Sequence, residues 1–189
     1  MITIENKQMD EDKFLALLRG INVGGNNIIK MADLKKCFES MGFTCVKTYI
    51  QSGNVIFNSV EKDKTLLKKQ IEETLSKRFK YNSSVFIIDY KQLKHVVTDS
   101  PPNFGTEPDK YRSDVLFVKD SLNPMEILKN IKIKEGVDSV WSGLNVIYFS
   151  RLISRASQSY LSKIVSMPFY KEITIRNWNT TTKLLALME

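Results

Sequence analysis

Three short stretches hold the residues that could do chemistry. The first is Leu17-Leu18-Arg19-Gly20-Ile21-Asn22-Val23-Gly24-Gly25-Asn26-Asn27. Its arginine can pair with a phosphate or carboxylate. Gly24 and Gly25 tolerate a positive φ and carry no side chain, so their backbone N–H groups can come close to an anion. The second is Gln51-Ser52-Gly53-Asn54. The amides and hydroxyl of Gln51, Ser52 and Asn54 can orient a ligand by hydrogen bonds, but they are poor acids and bases. The third runs from Arg176 to Lys183, with Asn177, Trp178, Asn179 and Thr182 between. Trp178 can stack on a ring, and Arg176 or Lys183 can meet a phosphate. This is the chemistry of holding an anion, not of breaking a bond.

Other chemistries find little support. With His95 as the single histidine and Cys37 and Cys45 as the only cysteines, no activated nucleophile beside a base can be assembled. No zinc spacing is present, so no metal is expected. The glycine stretch fits neither the dinucleotide fingerprint nor the P-loop, whose lysine and Ser/Thr are missing, and no cofactor is read. No apolar run reaches the roughly 20 residues of a bilayer span, and the polar N-terminus is not an export signal. A cytoplasmic chain with no membrane partner and two buried free thiols is the expectation. The net charge of +7 favours a polyanionic partner, although the excess is spread over both halves of the chain.

The elements that must position these residues follow from periodicity. Phe14–Leu18 is an apolar strand running into the glycine loop. Leu34, Cys37, Phe38 and Met41 recur at helical spacing, with Gly42 as a left-handed stop. Residues 45–51, alternating Val46, Thr48 and Ile50, and residues 54–58 read as a hairpin around Ser52-Gly53. Asp63 can cap a helix that buries Leu67, Ile71, Leu75 and Phe79. Residues 84–89 are a fully apolar strand. The order β-α-β-β-α-β is ferredoxin-like.

The pattern then returns. Residues 90–112 read as a connecting helix and a proline-rich loop. Residues 115–118 form a strand, and Asn123-Pro124 opens a helix. A hairpin surrounds Ser142-Gly143-Leu144, a helix is expected around Tyr160, Leu161, Ile164 and Val165, and a strand at residues 173–175 leads to a last helix capped by Asn179. Ser52-Gly53-Asn54-Val55-Ile56-Phe57 is echoed by Ser142-Gly143-Leu144-Asn145-Val146-Ile147-Tyr148 with one residue inserted. The fold expected is α+β, with duplicated ferredoxin-like (βαββαβ) halves, antiparallel sheets and an extra C-terminal helix. Residues 1–89 form the first half, 90–112 the connector and 113–189 the second half. The glycine loop occurs in the first half alone.

Together, the stretches Leu17 to Gly25, Tyr49 to Phe57 and Arg176 to Leu184 resemble a widespread bacterial domain-of-unknown-function family recognised by its LLRGINVGG stretch. The resemblance runs from about residue 13 to the C-terminus. It implies two ferredoxin-like halves and no established activity, cofactor or substrate. Asn26-Asn27 stands where members often carry a basic residue, and Ser154-Arg155-Ala156-Ser157 departs from a frequent Arg-Ser-Lys.

The functional expectation is a binder of a phosphate-bearing ligand, either a nucleotide or nucleic acid. Arg19, Asn22, Gly24 and Gly25 would make one wall, and Arg176, Asn177, Thr182 and Lys183 another. Each stretch also has a structural reading. The loop can be a plain strand-to-helix connection, and Ser52-Gly53-Asn54 ordinary turn chemistry. Asn179 can be a cap with Trp178 in the core. An enzyme acting on a small polar metabolite and a protein-interaction module are the alternatives.

Overall fold

The computed structural model describes residues 10–189 except Gly24 and Asn26. It divides into two compact units, Met1–Asp89 and Tyr90–Glu189.

In the first unit, β1 (Asp12–Arg19), α1 (Met31–Glu39), β2 (Thr44–Tyr49), β3 (Asn54–Ser59), α2 (Lys64–Phe79) and β4 (Ser84–Asp89) follow in the expected order. The sheet order is β2-β3-β1-β4, and β1 pairs antiparallel with both β3 and β4. Alternation puts Phe14, Ala16 and Leu18 of β1 on one face with Val55, Phe57 and Val85. Leu34, Cys37 and Phe38 of α1 and Leu67, Ile71 and Leu75 of α2 close over them. Phe57 sits at the middle of this core, 4.5 Å from Phe43, 5.5 Å from Phe38 and 5.8 Å from Phe14 between ring centroids. Asp63 caps α2, accepting the Thr65 N–H at 2.7 Å.

Two expectations for β2 are corrected. Thr44 opposes Asn58 whereas Lys47 opposes Ile56, so β2 carries one extra residue. At this bulge Cys45 takes φ +51 and is exposed, while Val46 turns inward. Only Cys37 is a buried thiol. Ile50 does not continue the alternation, because β2 ends at Tyr49. Ile50 stands at φ +47 with 48% of its surface exposed.

The second unit contains α3 (Tyr90–Thr98), β5 (Tyr111–Val118), α4 (Pro124–Asn130), β6 (Asp138–Gly143), β7 (Val146–Leu152), β8 (Ile173–Asn177) and α5 (Trp178–Met188). Its sheet order, β6-β7-β5-β8, repeats the first, again antiparallel. One face packs Leu116, Val118, Ile147, Phe149 and Ile173 with Ile127 of α4 and Ile164. Residues 90–98, set apart above as a connector, form a helix that packs with α5.

The helix expected around Tyr160–Val165 is absent. Residues Ile153–Gln158, Leu161–Ser166 and Pro168–Glu172 form three short 3₁₀ segments, and Val165 is 59% exposed. The Tyr160 N–H donates to Asp138 Oδ2 at 2.9 Å and that of Leu161 to Ser159 Oγ at 3.1 Å, as at the start of a helix. Pro168 then lacks an N–H and disfavours helical backbone before it. The last helix also begins two residues earlier than expected: its cap is Asn177, not Asn179. The Asn177 amide is already held at the end of β8, where it donates to the Ser113 carbonyl at 3.0 Å.

Candidate functional site

In the first unit, the glycine loop and the β2–β3 turn meet at one side chain. Asn22 adopts φ +52 and puts its amide between two strands of backbone. Its Oδ1 accepts the Ile29 N–H at 2.8 Å, and its Nδ2 donates to the carbonyls of Ile29 at 3.1 Å and Gln51 at 2.9 Å. Asn27 Nδ2 donates to the Gly20 carbonyl at 2.8 Å and closes the loop's base. Asn54 is buried and donates to the Tyr49 carbonyl at 3.0 Å and to Ser52 Oγ at 2.9 Å. The polar groups that read as ligand contacts therefore join loop to hairpin.

Gly53 completes the join. The Leu18 N–H donates to its carbonyl at 2.8 Å. A Cβ on Gly53 would fall 2.8 Å from both Leu18 Cβ and Ile21 Cδ1. Arg19 is partly buried at the end of β1 opposite Ser84, and Gln51 is exposed. Gly25 is exposed at φ +78 with open space around it. Gly24, the other glycine of the proposed wall, lies outside the described residues.

The second unit contains a cleft of about 200 Å³ where β5 begins and β8 passes into α5. Arg112 and Ser113 of β5 form one wall, Asn177, Trp178 and Asn179 another, and Gly105 lies at the rim. Trp178 is fixed from outside the cleft. Phe104 meets it edge to face at 5.0 Å, and the Gly105 backbone comes so close that a Cβ there would overlap the indole. Asn177 Oδ1 accepts the Asn179 N–H at 3.0 Å, and the positive end of the α5 dipole faces this region.

The charges around the cleft are mixed. Arg112 Nε donates to Asp114 Oδ2 at 3.0 Å and Oδ1 at 3.3 Å, with Asp114 buried and the arginine side chain 52% exposed. The two terminal guanidinium nitrogens of Arg112 have no bond among the described residues. Ser113 is 4% exposed, and its Oγ is buried without a hydrogen-bond partner among the described residues.

The other members of the C-terminal stretch lie apart from the cleft walls. Arg176 is buried and donates to Thr174 Oγ1 at 3.0 Å and the Ile175 carbonyl at 2.8 Å. Burial draws its pKa down to about 10, so it remains charged at neutral pH. Thr182 Oγ1 turns back into α5, donating to the carbonyls of Trp178 and Asn179 at 3.2 Å each. Lys183 is exposed one turn further on.

Arg112 and Ser113 escaped the sequence reading because the polar start of β5 resembles loop. The alternation of Tyr111 and Ser113 with Arg112 and Asp114 was the available signal. Among the described residues, no group of three or more His, Cys, Asp or Glu could hold a metal ion, and no helix is long and apolar enough to cross a membrane.

A family model described as "Protein of unknown function (DUF1697)" matches residues 12–148, including the glycine loop and the hairpin. Among solved structures, the conserved bacterial protein SP0830 from Streptococcus pneumoniae is similar over 95% of this chain and 100% of its own, with a TM-score of 0.82 and 24% identity. That likeness is one of fold. No curated protein matches.

Proposed function

The chain belongs to the DUF1697 family of proteins of unknown function, which brings no activity with it, and we propose that it binds a phosphate-bearing ligand, a nucleotide, in the cleft at the start of α5. The observation that carries this reading is the cleft itself, in which Arg112 of β5 and Trp178 at the start of α5 line one cavity. The N-terminus of an eleven-residue helix opens on it, and the terminal nitrogens of Arg112 have no bond among the described residues. Helix N-termini and guanidinium groups are the usual partners of phosphate oxygens. Trp178 gives the same cleft an aromatic wall suited to a sugar or base. A volume of about 200 Å³ suits one small anion-bearing ligand better than a polymer. Lys183 adds positive charge further along α5. A cytoplasmic setting, where nucleotides are abundant, goes with this reading.

Calorimetric titration with adenosine monophosphate, adenosine and inorganic phosphate tests it. The monophosphate should bind, and adenosine should bind at least tenfold more weakly, since hydrogen bonds to a charged group are worth about 1.5–3 kcal/mol. Arg112→Gln should weaken binding by a similar factor and Trp178→Leu by at least about fivefold. Arg19→Gln, in the first unit, should leave it unchanged. Equal affinity for nucleotide and nucleoside, or unaltered binding by the two cleft variants, would overturn the proposal.

A further inference from the structure

The end of the first unit's sheet at which β1 and β2 finish and β3 and β4 begin has an unusual surface. Asn22 bonds Ile29 and Gln51 at once. The neighbours in sequence of these three residues, Val23, Ile28 and Ile50, therefore emerge around a single point. All three are aliphatic, and they are 65%, 77% and 48% exposed. Ile50 is held outward at φ +47, a backbone region that β-branched residues strongly avoid. Such strain marks a position that the surrounding structure imposes, and it accumulates at functional surfaces.

Charge is sorted along the same axis. The segments that build this end, residues 13–32, 40–60 and 74–88, contain no Asp or Glu, although Glu72 of α2 reaches the start of β4, where its Oε1 accepts the Val85 N–H at 2.8 Å. They contribute Lys30, Lys47 and Lys80, each exposed, and Arg19. Asp33 in the first turn of α1 is the acidic residue that follows Lys30 most closely. Asp10, Glu11, Asp12, Glu61, Asp63 and Asp89 gather instead where β1 begins and β3 and β4 finish.

We propose that this tip is a membrane-contact surface, with Val23, Ile28 and Ile50 entering an anionic lipid leaflet and Lys30 and Lys47 meeting its headgroups. Protruding aliphatics with exposed lysines on the same segments suit the interface of a bilayer, whose surface attracts cations and whose acyl region accepts apolar side chains. A nucleic acid would be met by stacking aromatics, not by valine and isoleucine. An apolar protein segment would be met by a groove, whereas these side chains project. This departs from the expectation of no membrane partner, although the contact needs no spanning segment.

Sedimentation of the full chain with vesicles tests the proposal. Vesicles of phosphatidylglycerol and phosphatidylcholine in equal parts should carry the protein down, and vesicles of phosphatidylcholine alone should not. Lys30→Gln with Lys47→Gln should weaken binding by roughly fivefold per lysine, since each basic residue near an anionic surface contributes about that factor. Val23→Ser with Ile28→Ser should reduce it at least tenfold while leaving the circular dichroism spectrum intact, because both side chains are exposed. Failure of the wild type to bind anionic vesicles at low salt overturns the proposal. So does undiminished vesicle binding by the serine variant. Binding of an RNA oligonucleotide that depends on the lysines and not on Val23 and Ile28 would replace the lipid by a polyanion. Self-association abolished by the serine variant would replace it by a second copy of the chain.

Discussion

Replacing Gly53 by alanine puts the join between loop and hairpin to a quantitative test, provided Gly20 is replaced alongside it. Both glycines stand at φ +74, so an alanine at either position meets the same backbone penalty. That penalty is about 1–2 kcal/mol for an L-residue in the left-handed region. At Gly20 the new methyl meets nothing within 4 Å, and the penalty is the whole effect. At Gly53 the methyl falls 2.8 Å from Leu18 Cβ, an atom next to the backbone of a central strand, and 2.8 and 3.0 Å from two atoms of Ile21. Leu18 and Ile21 are each 1% exposed, so neither has room to retreat. Overpacking of this kind costs a further ~1–3 kcal/mol. Gly53→Ala should therefore be less stable than Gly20→Ala by ~1–3 kcal/mol. Urea unfolding followed by circular dichroism gives the comparison. Amide exchange in β1 and β3 locates it. Tryptophan fluorescence is unsuitable, because Trp141 and Trp178 both lie in the second unit. Two variants equal within ~0.5 kcal/mol would refute the argument, since surface changes without a structural mechanism fall in that range.

Two further outcomes concern the second unit. Gly105→Ala drives a methyl into the Trp178 indole at Cδ1. It should shift the Trp178 emission and lower adenosine monophosphate affinity together; an unchanged spectrum would show that the loop yields instead. Tyr148, buried and donating to the Val96 carbonyl at 2.8 Å, has its pKa pushed up to about 12, chiefly by burial and secondarily by Asp99. A raised acid pKa means that the unfolded chain loses its proton first. Stability from this group is thus complete below about pH 10 and declines as pH rises toward 12. Tyr148→Phe should be the less stable protein at pH 8, by about 1 kcal/mol, and the gap should close and reverse above pH 10; parallel pH curves would contradict this.

Periodicity carried most of the fold because each unit buries one clear stripe per element. Leu67, Ile71 and Leu75, or Phe14, Ala16 and Leu18, can hardly be read another way. It failed where a proline or a tertiary contact decided the local conformation. Pro168 ends, within two turns, a helix that the apolar spacing around Ile164 allows, and Asp138, far away in sequence, ties down the segment at the Tyr160 N–H. Asn177 rather than Asn179 caps α5 because its amide also reaches Ser113 on the adjacent strand. The candidate site was less legible for a related reason. Asn22 and Asn54 are the residue types that hold ligands, and here their hydrogen bonds are made to the chain itself. Arg112 is unremarkable in the sequence and becomes informative only when β5 is seen beside the start of α5.

The threefold bonding of Asn22 acts as a length gauge. It sets the span from residue 22 to residue 29 against the reach of the β2–β3 turn, which it touches at Gln51. An insertion into either segment would lift one carbonyl away from an amide that the other still holds. Changes in loop length and in hairpin length should therefore be tolerated as matched pairs, and the two segments vary as a single part.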